Sequence, residues 1–253
     1  MNAPSRRYLS VWLRRLATDR IARLSSAPAE SAGNALVVIA PVKGALRLAA
    51  LNDAAAALGL KPGMALADAR AMYPALPAVD ADPEEDRRAL IAIADWCDRY
   101  TPLAGLDPPD GLTLDIAGCA HLFGGEGTMG RDMLRRLVAQ GFAARLAIAD
   151  TVGCAWGLAR FGKGGIVPSG EGREALSPLP LAALRLDADI VAALARAGLK
   201  RVADVVDLPR SPLTTPVCRE SAHGSNGAIS GSPRNLSRLC RSPKLAEDRK
   251  SVV

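Results

Sequence analysis

The residues DGLTLDIAGCAHLFGG, at positions 110–125, decide the fold class of this 253-residue chain. Apolar and polar side chains alternate from Gly111 to Ile116, which predicts a strand, and a glycine-bounded loop follows it. The sequence then favours a helix from Gly125 to Gln140 and another strand from Ala143 to Ala149. Because strands and helices alternate here, we predict an α+β or α/β core.

Further elements are predicted on both sides of this segment. Tyr8 to Leu13 is a short apolar run typical of a buried strand. Asp82-Pro83-Glu84-Glu85 has the acidic, proline-containing start of a long amphipathic helix that should reach Tyr100. The remaining predicted elements are helices at Ala17–Leu24, Asn52–Leu58, Ala65–Met72 and Thr151–Phe161, and strands at Leu36–Ala40 and Val42–Leu51.

The segment from Leu181 to Leu208 has a different pattern. Two helices are predicted, at Asp187–Ala197 and Arg201–Leu208, with the turn Gly198-Leu199-Lys200 between them. This spacing is typical of a helix-hairpin-helix, although an ordinary pair of antiparallel helices with a glycine corner gives the same pattern.

The composition changes after Pro209. Residues 211–253 are rich in Ser, Pro, Arg and Asn and show no helical or strand periodicity. Such a segment buries too little apolar surface to offset its ordering entropy, so we predict that it is disordered. The abrupt change also suggests an out-of-frame or truncated terminus.

Composition and charge exclude several classes of protein. No apolar run approaches a membrane span, and the apolar run after Arg6-Arg7 is too short for a signal peptide, so we expect a cytoplasmic protein without membrane contact. Residues 1–24 carry six Arg and one Asp, while residues 211–253 carry seven basic and three acidic groups. Two basic ends on a mildly acidic body differ from a uniformly basic nucleic-acid groove.

Metal and redox sites are not predicted from the cysteines. The five cysteines are widely spaced without a C-x-x-C motif, and only two histidines accompany them. We therefore expect free thiols and no structural zinc. The cysteines are Cys97, Cys119, Cys154, Cys218 and Cys240, and the histidines are His121 and His223.

Three segments together resemble the Y-family (UmuC/DinB-like) of translesion DNA polymerases, and in particular its ImuB-type, catalytically inactive branch. They are YLSVWL at 8–13, the run from Leu51 to Arg70 that contains GLKPGM, and the stretch at 110–125 with AIADT at 147–151. The resemblance implies an α+β fold with a palm formed by residues 1–13 and 75–165 and fingers at 14–74. It further implies a partial thumb at 166–210 that contains the helix-hairpin-helix, with the family's little finger missing.

The resemblance also implies that the catalytic positions are altered. Nucleotidyl transfer in the family needs two Mg²⁺ ions held by converging carboxylates. One carboxylate belongs at position 12, where this chain has Trp12, and an Asp–Glu pair belongs at Asp110 and Gly111. Since only Asp110 is left of the three, we expect no catalytic residue, no metal site and no cofactor.

The groups that grip the nucleotide triphosphate in active relatives are absent as well. The family carries a Tyr and an Arg in the helix that matches Asn52–Leu58, where this chain has Asp53 and Ala56. It also carries a Lys just after the strand that matches Ala147–Ala149, where this chain continues with Asp150-Thr151. These losses are consistent with polymerase architecture that lacks polymerase chemistry.

The resemblance therefore implies an adaptor in DNA repair, damage-induced (SOS) mutagenesis and translesion synthesis, in a truncated copy. The implied partners are DNA, the sliding clamp, an error-prone replicative-type polymerase and a RecA-like companion. The hairpin residues Gly198, Leu199, Lys200 and Arg201 are predicted to contact DNA phosphates weakly and without sequence preference, through backbone N–H groups and two cations. A second contact patch is predicted from Arg14, Arg15, Arg20 and Arg23.

Two alternatives stay open at the level of sequence. The chain is a weakly active polymerase if Asp110 and Asp115 find a third ligand such as Asp107 or Asp19, and Mg²⁺ is then its cofactor. It is a simple DNA-binding module if the helix-hairpin-helix alone accounts for its DNA binding.

Overall fold

A computed structural model describes residues 6–24 and 35–206 of the chain. The predicted disorder of residues 211–253 and the end of the predicted thumb, at 207–210, lie outside these residues. Strands and helices are mixed along the chain, and the predicted α+β class is confirmed.

The described residues contain strands in two sheets. One sheet has the order β5-β6-β1-β7-β8, and the other has the order β3-β2-β4. The strands are β1 (Tyr8–Leu13), β2 (Val37–Val42), β3 (Ala45–Leu51), β4 (Ala78–Asp80), β5 (Ala104–Asp107), β6 (Gly111–Asp115), β7 (Ala144–Ala149) and β8 (Gly165–Ile166).

The helices begin and end close to the predicted positions. Side chains at the expected caps accept backbone hydrogen bonds: Asp82 from Glu85 N at 3.0 Å and Thr151 from Cys154 N at 3.2 Å. The α-helices are α1 (Leu16–Leu24), α2 (Asp53–Ala57), α3 (Leu66–Met72), α4 (Pro83–Trp96), α5 (Glu126–Ala139), α6 (Val152–Phe161), α7 (Gly172–Leu176), α8 (Ala188–Arg196) and α9 (Ala203–Val206).

Chain contacts divide the molecule into two compact units. Of the described residues, the first comprises 6–11, 113–127 and 146–206, and the second comprises 12–24, 35–112 and 128–145. In the first unit, α6 packs against the 3₁₀ turn Leu181–Leu184. Gly157 permits this close approach, because a Cβ there would lie 2.8 Å from Ala183 O.

The second unit contains the three-stranded sheet and its own small core. Strand β2 pairs antiparallel with β3 and parallel with β4. The buried residues of this core come from the sheet, from α2 and α3 and from the segments that follow these two helices: Val37, Ile39, Leu48, Ala55, Leu60, Leu66, Ala69 and Leu76. Asn52 begins α2 by accepting hydrogen bonds from Ala55 N and Leu36 N, at 2.9 and 3.1 Å.

Some elements were not predicted from the sequence. The strands β4, β5 and β8 are short and lack a clear period of two, and α7 is a five-residue helix. Gly165 begins β8, which pairs parallel with β7. Two glycines at positive φ, Gly164 and Gly165, lead the chain into that strand.

Candidate functional site at the end of the first strand

Trp12, at the C-terminal end of β1, contacts Asp110, which lies just before β6. Trp12 is half-buried, and its Nε1–H donates a hydrogen bond of 2.8 Å to Asp110 Oδ2. The backbone is joined at the same place, since Leu13 N donates to Asp110 O at 2.8 Å. The indole therefore occupies one oxygen of the carboxylate that the resemblance singles out.

Gly111 lies next to this contact. Hydrogen bonds from Ile116 N to Arg7 O and from Leu13 N to Asp110 O make β1 and β6 antiparallel. This register places Trp12 opposite Gly111, so the two positions at which the resemblance implies lost carboxylates face each other across the ladder. Because Gly111 has no side chain, only Trp12 fills the space at this pair of positions.

Arg145 also contacts Trp12, and this contact was not predicted from the sequence. Its guanidinium carbon lies 5.3 Å from the centroid of the indole ring, within the range of a cation–π contact. The sequence does contain a signal for this contact, because Arg145 is the only charged residue in the otherwise apolar run Ala143–Ala149. A charge at that position of a core strand indicates a partner on the exposed face of the sheet.

These residues do not fit a divalent metal ion. Such a site needs several converging oxygen ligands, whereas Asp110 accepts an indole N–H and Asp115 Oδ1 accepts Ala117 N at 3.0 Å. Across residues 6–24 and 35–206, no group of three or more His, Cys, Asp or Glu side chains is arranged to hold a metal.

Asp19, considered above as a substitute ligand, has a structural role instead. Its Oδ2 accepts Ala143 N at 2.7 Å, and its Oδ1 lies 3.8 Å from Arg15 Nε. Burial raises the pKa of Asp19, against the opposing effects of the Ala143 hydrogen bond and of Arg15. This carboxylate therefore fixes the start of α1.

The resemblance implies that Asp53 stands where active relatives have a triphosphate-binding side chain. Arg15 Nη1 lies 2.6 Å from Asp53 Oδ2, and Arg14 Nη2 lies 3.7 Å from Asp53 Oδ1. Asp53 is thus a carboxylate that attracts two cations of its own chain.

Asp150 likewise forms internal contacts in the first unit. Its Oδ1 accepts Arg7 Nη1 at 2.7 Å, and its Oδ2 accepts Gly170 N at 2.7 Å and Ser169 Oγ at 3.0 Å. Although burial acts to raise the pKa of Asp150, the hydrogen bonds from Gly170, Arg7 and Ser169 leave it below its ordinary value.

Arg7 joins Asp150 to a second carboxylate. It forms a two-pronged ion pair with Glu126, with Nε–Oε1 and Nη2–Oε2 distances of 2.7 Å, and Nη2 also donates to Val167 O at 2.8 Å. The hydrogen bond to Glu126 is the main cause of the raised pKa of Arg7, which is therefore a permanent cation here.

The four arginines predicted to form a second DNA contact patch are engaged within the second unit. Arg14 and Arg15 approach Asp53, as described above, and Arg20 Nε lies 2.7 Å from Asp86 Oδ1. The guanidinium of Arg23 lies over the Phe142 ring, 4.5 Å from its centroid. Most of this cationic surface is therefore balanced by neighbouring groups.

The predicted hairpin turn follows α8 in the first unit. Gly198 adopts φ of +87°, a left-handed conformation that favours glycine, and its N–H bonds to Ala195 O at 3.0 Å. Leu199 N bonds to Leu194 O at 3.0 Å. These two N–H groups, which were predicted to face a phosphate, close the end of α8 instead.

The other two amides of the turn are also engaged. Lys200 N and Arg201 N each donate to Asp204 Oδ2 at 2.8 Å. These hydrogen bonds, of which the one from Arg201 has the largest effect, hold the pKa of Asp204 below its ordinary range. Any phosphate contact at this turn therefore depends on the side chains of Lys200 and Arg201, unless a phosphate displaces Asp204.

Among the described helices, none is both long and apolar enough to cross a bilayer.

Comparison with known proteins gives consistent similarities. The impB/mucB/samB family matches this chain over residues 27–160. Protein ImuB from two strains of Caulobacter vibrioides is 51% identical over 157 residues, which cover 62% of this chain and 34% of the relative. The matched segment thus spans about a third of the curated relatives.

Solved structures share the fold at low sequence identity. The crystal structure of DinB from Sulfolobus solfataricus has a TM-score of 0.68 at 15% identity, covering 92% of this chain and 66% of that one. An insertion ternary complex of Dbh DNA polymerase has a TM-score of 0.68 at 16% identity, with coverages of 92% and 67%. A Y-family DNA polymerase chimera built on Dbh reaches 0.70 at 15% identity, with the same coverages.

Proposed function

Because the chain belongs to the impB/mucB/samB family, we propose that it is a non-catalytic Y-family polymerase homologue that acts as a DNA-binding adaptor in translesion synthesis. The process it serves is DNA repair with damage-induced (SOS) mutagenesis, in the cytoplasm. The proposal concerns a segment that corresponds to about a third of the ImuB relatives, at 34% of their length.

One observation carries the non-catalytic part of the proposal. The Trp12 indole donates to Asp110 Oδ2 at 2.8 Å, so a hydrogen-bond donor stands where the family places a second acceptor for Mg²⁺. A metal-assisted displacement needs carboxylates that neutralise the ion and fix its geometry. An indole N–H directs its partial positive charge toward Asp110, which opposes metal binding at that carboxylate.

A second observation supports the same proposal at the nucleotide end. Asp53 and Asp150 stand where the family has triphosphate-binding side chains, and both carry negative charge. Every loss of about 1.4 kcal/mol of transition-state stabilisation lowers the reaction rate tenfold. Because both metal-binding carboxylates and triphosphate-binding side chains are lost, we expect no useful turnover.

For DNA contact we propose the side chains of Lys200 and Arg201 at the hairpin Gly198–Arg201. Phosphate contacts by Lys and Arg are independent of sequence and weaken with salt. Since the amides of this turn are bonded internally, we expect weak binding, roughly micromolar or poorer at physiological salt.

The domain boundaries and the protein partners follow from the resemblance and are proposed here. We assign the palm to residues 1–13 and 75–165, the fingers to 14–74 and the thumb to 166–210. The proposed partners besides DNA are the sliding clamp, an error-prone replicative-type polymerase and a RecA-like companion. Co-purification of each purified partner with this chain, with and without primed DNA, tests them one at a time.

Primer extension tests the absence of catalysis. The chain is incubated with primed template and all four nucleotides in Mg²⁺ or Mn²⁺, beside the Asp110→Ala variant as a matched control. We expect no extended primer with either protein. Extension by the wild-type chain that disappears in Asp110→Ala would replace the adaptor proposal with a weakly active polymerase.

A further inference from the structure

The small core of the second unit is open at one end. Side chains two residues apart lie on the same face of a strand, so Leu46 shares the core face of β3 with Leu48. Leu48 is 1% exposed within that core, whereas Leu46 is 45% exposed. The apolar face of the strand therefore continues past the part that the core covers.

A groove between β3 and α3 lies at this open end. Its volume is about 310 Å³, at the lower end of the range for ligand sites, which suits one or two large apolar side chains. Leu66, which belongs to the core and is 6% exposed, forms part of its surface. The lining residues are Ala45, Leu46, Ala65, Leu66, Ala67 and Arg70.

Backbone contacts fix the two sides of the groove to each other. Ala65, just before α3, forms an antiparallel bridge with Arg47 of β3. Leu48 N donates to Met64 O at 2.9 Å, and Leu48 O accepts Gly63 N at 2.7 Å. Arg47 Nη1 also donates to Gly63 O at 2.8 Å. The groove is therefore preformed, so binding does not have to order it first.

The charges around the groove are mostly positive. Lys43 lies in the turn between β2 and β3, Lys61 lies in the turn before α3, and Arg70 lines the groove itself. All three are exposed. Residues 43–47 and 61–72 carry four basic residues and one acidic residue, Asp68. An occupant that carries negative charge beside an apolar group therefore complements this surface.

This charge distinguishes between the possible occupants. A second copy of the chain would bring the same cations to the contact, and residues 211–253 carry seven basic against three acidic groups. A DNA strand would complement the cations, but of the lining side chains only Arg70 has a hydrogen-bonding group. An acidic peptide with an apolar anchor uses both the cations and the apolar lining.

We propose that the groove between β3 and α3 docks a segment of a partner protein in which one large apolar side chain is flanked by Asp or Glu. The apolar side chain fills the groove beside Leu46 and Leu66, and the acidic neighbours lie near Lys43 and Arg70. This inference goes beyond the proposed function, since it needs neither DNA binding nor the absence of catalysis.

A library of random peptides displayed on phage tests the proposal. Phage that bind immobilised Ala67→Trp, whose indole fills the groove, are removed first, and the remainder are selected on the immobilised full chain. We expect the enriched peptides to share a large apolar residue with Asp or Glu on both sides. Fluorescence anisotropy of the labelled consensus peptide should give a Kd of roughly tens of micromolar, because the contact is small.

Variants of the groove should weaken binding of the consensus peptide. Ala67→Trp and Leu46→Glu should each lower the affinity about tenfold or more, since the apolar anchor loses its place. Arg70→Glu should lower it about fivefold, on the scale of an exposed ion pair. Circular dichroism melting of every variant confirms that the fold is intact.

Two matched controls lie on α5. Val138→Glu places the same acidic group at another exposed apolar position, where the side chain is 61% exposed, and Arg131→Glu reverses another exposed arginine. Each should change the affinity less than twofold. Losses in these controls equal to those in Leu46→Glu and Arg70→Glu would overturn the proposal.

Three other outcomes would also overturn it. These are no enrichment over beads without protein, enriched peptides that lack acidic residues, and a consensus peptide that binds Ala67→Trp as tightly as the wild type. A single-stranded DNA oligonucleotide is finally added to the peptide complex. Displacement of the peptide would assign the groove to DNA instead, and retention of the peptide supports a protein partner.

Discussion

Trp12 Nε1–H donates to Asp110 Oδ2 at 2.8 Å, and the backbones of the two strands are joined beside this contact by Leu13 N and Asp110 O. Trp12, at the position where the resemblance implies a carboxylate, therefore contacts Asp110, the carboxylate that the resemblance leaves in place. This contact is a structural hydrogen bond, and its contribution to stability is open to measurement.

Trp12→Phe should destabilise the chain by about 1.5–3 kcal/mol, the range for a hydrogen bond to a charged group, with some added loss of packing. The phenyl ring keeps most of the apolar contact but cannot donate to Asp110. Urea unfolding of Trp12→Phe, Asp110→Asn and the double variant measures the coupling between the two side chains. Additive losses in this cycle would mean that the hydrogen bond contributes nothing to stability.

Trp12→Asp combined with Gly111→Glu should create a metal site. Positions 12 and 111 face each other in the antiparallel register next to Asp110, so the variant brings three carboxylates together. We expect calorimetric Mn²⁺ binding by the double variant and none by the wild type. Adding Asp110→Asn as a third change should remove it, and metal binding that persists would place the ion elsewhere.

Replacement of Arg7 should be among the most destabilising changes in the first unit. Its side chain is 11% exposed and neutralises Glu126 and Asp150 together, so Arg7→Met leaves two partly buried carboxylates without their cation. We expect a loss of about 2–4 kcal/mol in the free energy of unfolding.

Two further variants separate geometry from charge at this position. Arg7→Lys keeps the charge but loses the two-pronged pairing, and should cost about 1–2 kcal/mol. Arg88→Met removes an exposed arginine that pairs with Glu84 and Glu85, and should cost less than about 0.5 kcal/mol. Similar losses for Arg7→Met and Arg88→Met would contradict the structural role assigned to Arg7.

Asp132 should make stability depend on pH in the acid range. Hydrogen bonds from Arg135, Tyr100 and Arg136 lower the pKa of Asp132 to about 2. Because the folded-state pKa lies below the unfolded value of about 3.9, this contribution is complete above pH 4 and is lost as the pH falls toward 2. Urea midpoints of the wild type and Asp132→Asn should therefore converge between pH 4 and pH 2, and a constant difference would contradict the assignment.

Lys200→Ala with Arg201→Ala should weaken DNA binding and flatten its salt dependence. If each side chain contacts one phosphate, the slope of log affinity against log salt falls by about two units. Fluorescence anisotropy with a labelled duplex at several salt concentrations measures it. Arg131→Ala with Arg135→Ala, which removes two exposed charges from α5, serves as the control for net charge. An unchanged slope in the hairpin variant would remove this turn from the DNA-binding surface.

Local patterns were enough to predict much of the fold. The strand Tyr8–Leu13 matches its predicted bounds, and Asp82 and Thr151 begin helices as predicted, because apolar periodicity and capping act over a few residues. The pairing of Trp12 with Asp110 was not predicted, since it depends on strand register between distant segments.

The side-chain contacts of the candidate site were predicted less well from the sequence than the strands and helices. Arg14, Arg15, Arg20 and Arg23 suggested a cationic surface, yet the carboxylates of Asp53 and Asp86 and the ring of Phe142 lie beside them in the structure. The amides of Lys200 and Arg201 were expected to face a phosphate, and Asp204 accepts both. A charge can be counted from sequence, but its partner becomes known only when the tertiary structure brings the two together.

The position of β1 in its sheet has a consequence for how the chain is made. It lies between β6 and β7, which begin at Gly111 and Ala144, so this strand has no partner in its sheet until synthesis of the chain has reached β6. At about 5–20 residues per second, YLSVWL waits on the order of ten seconds as an unpaired apolar segment. During that interval it offers a binding site to chaperones and a template for wrong strand pairing, and the fold closes only when its last central strand arrives.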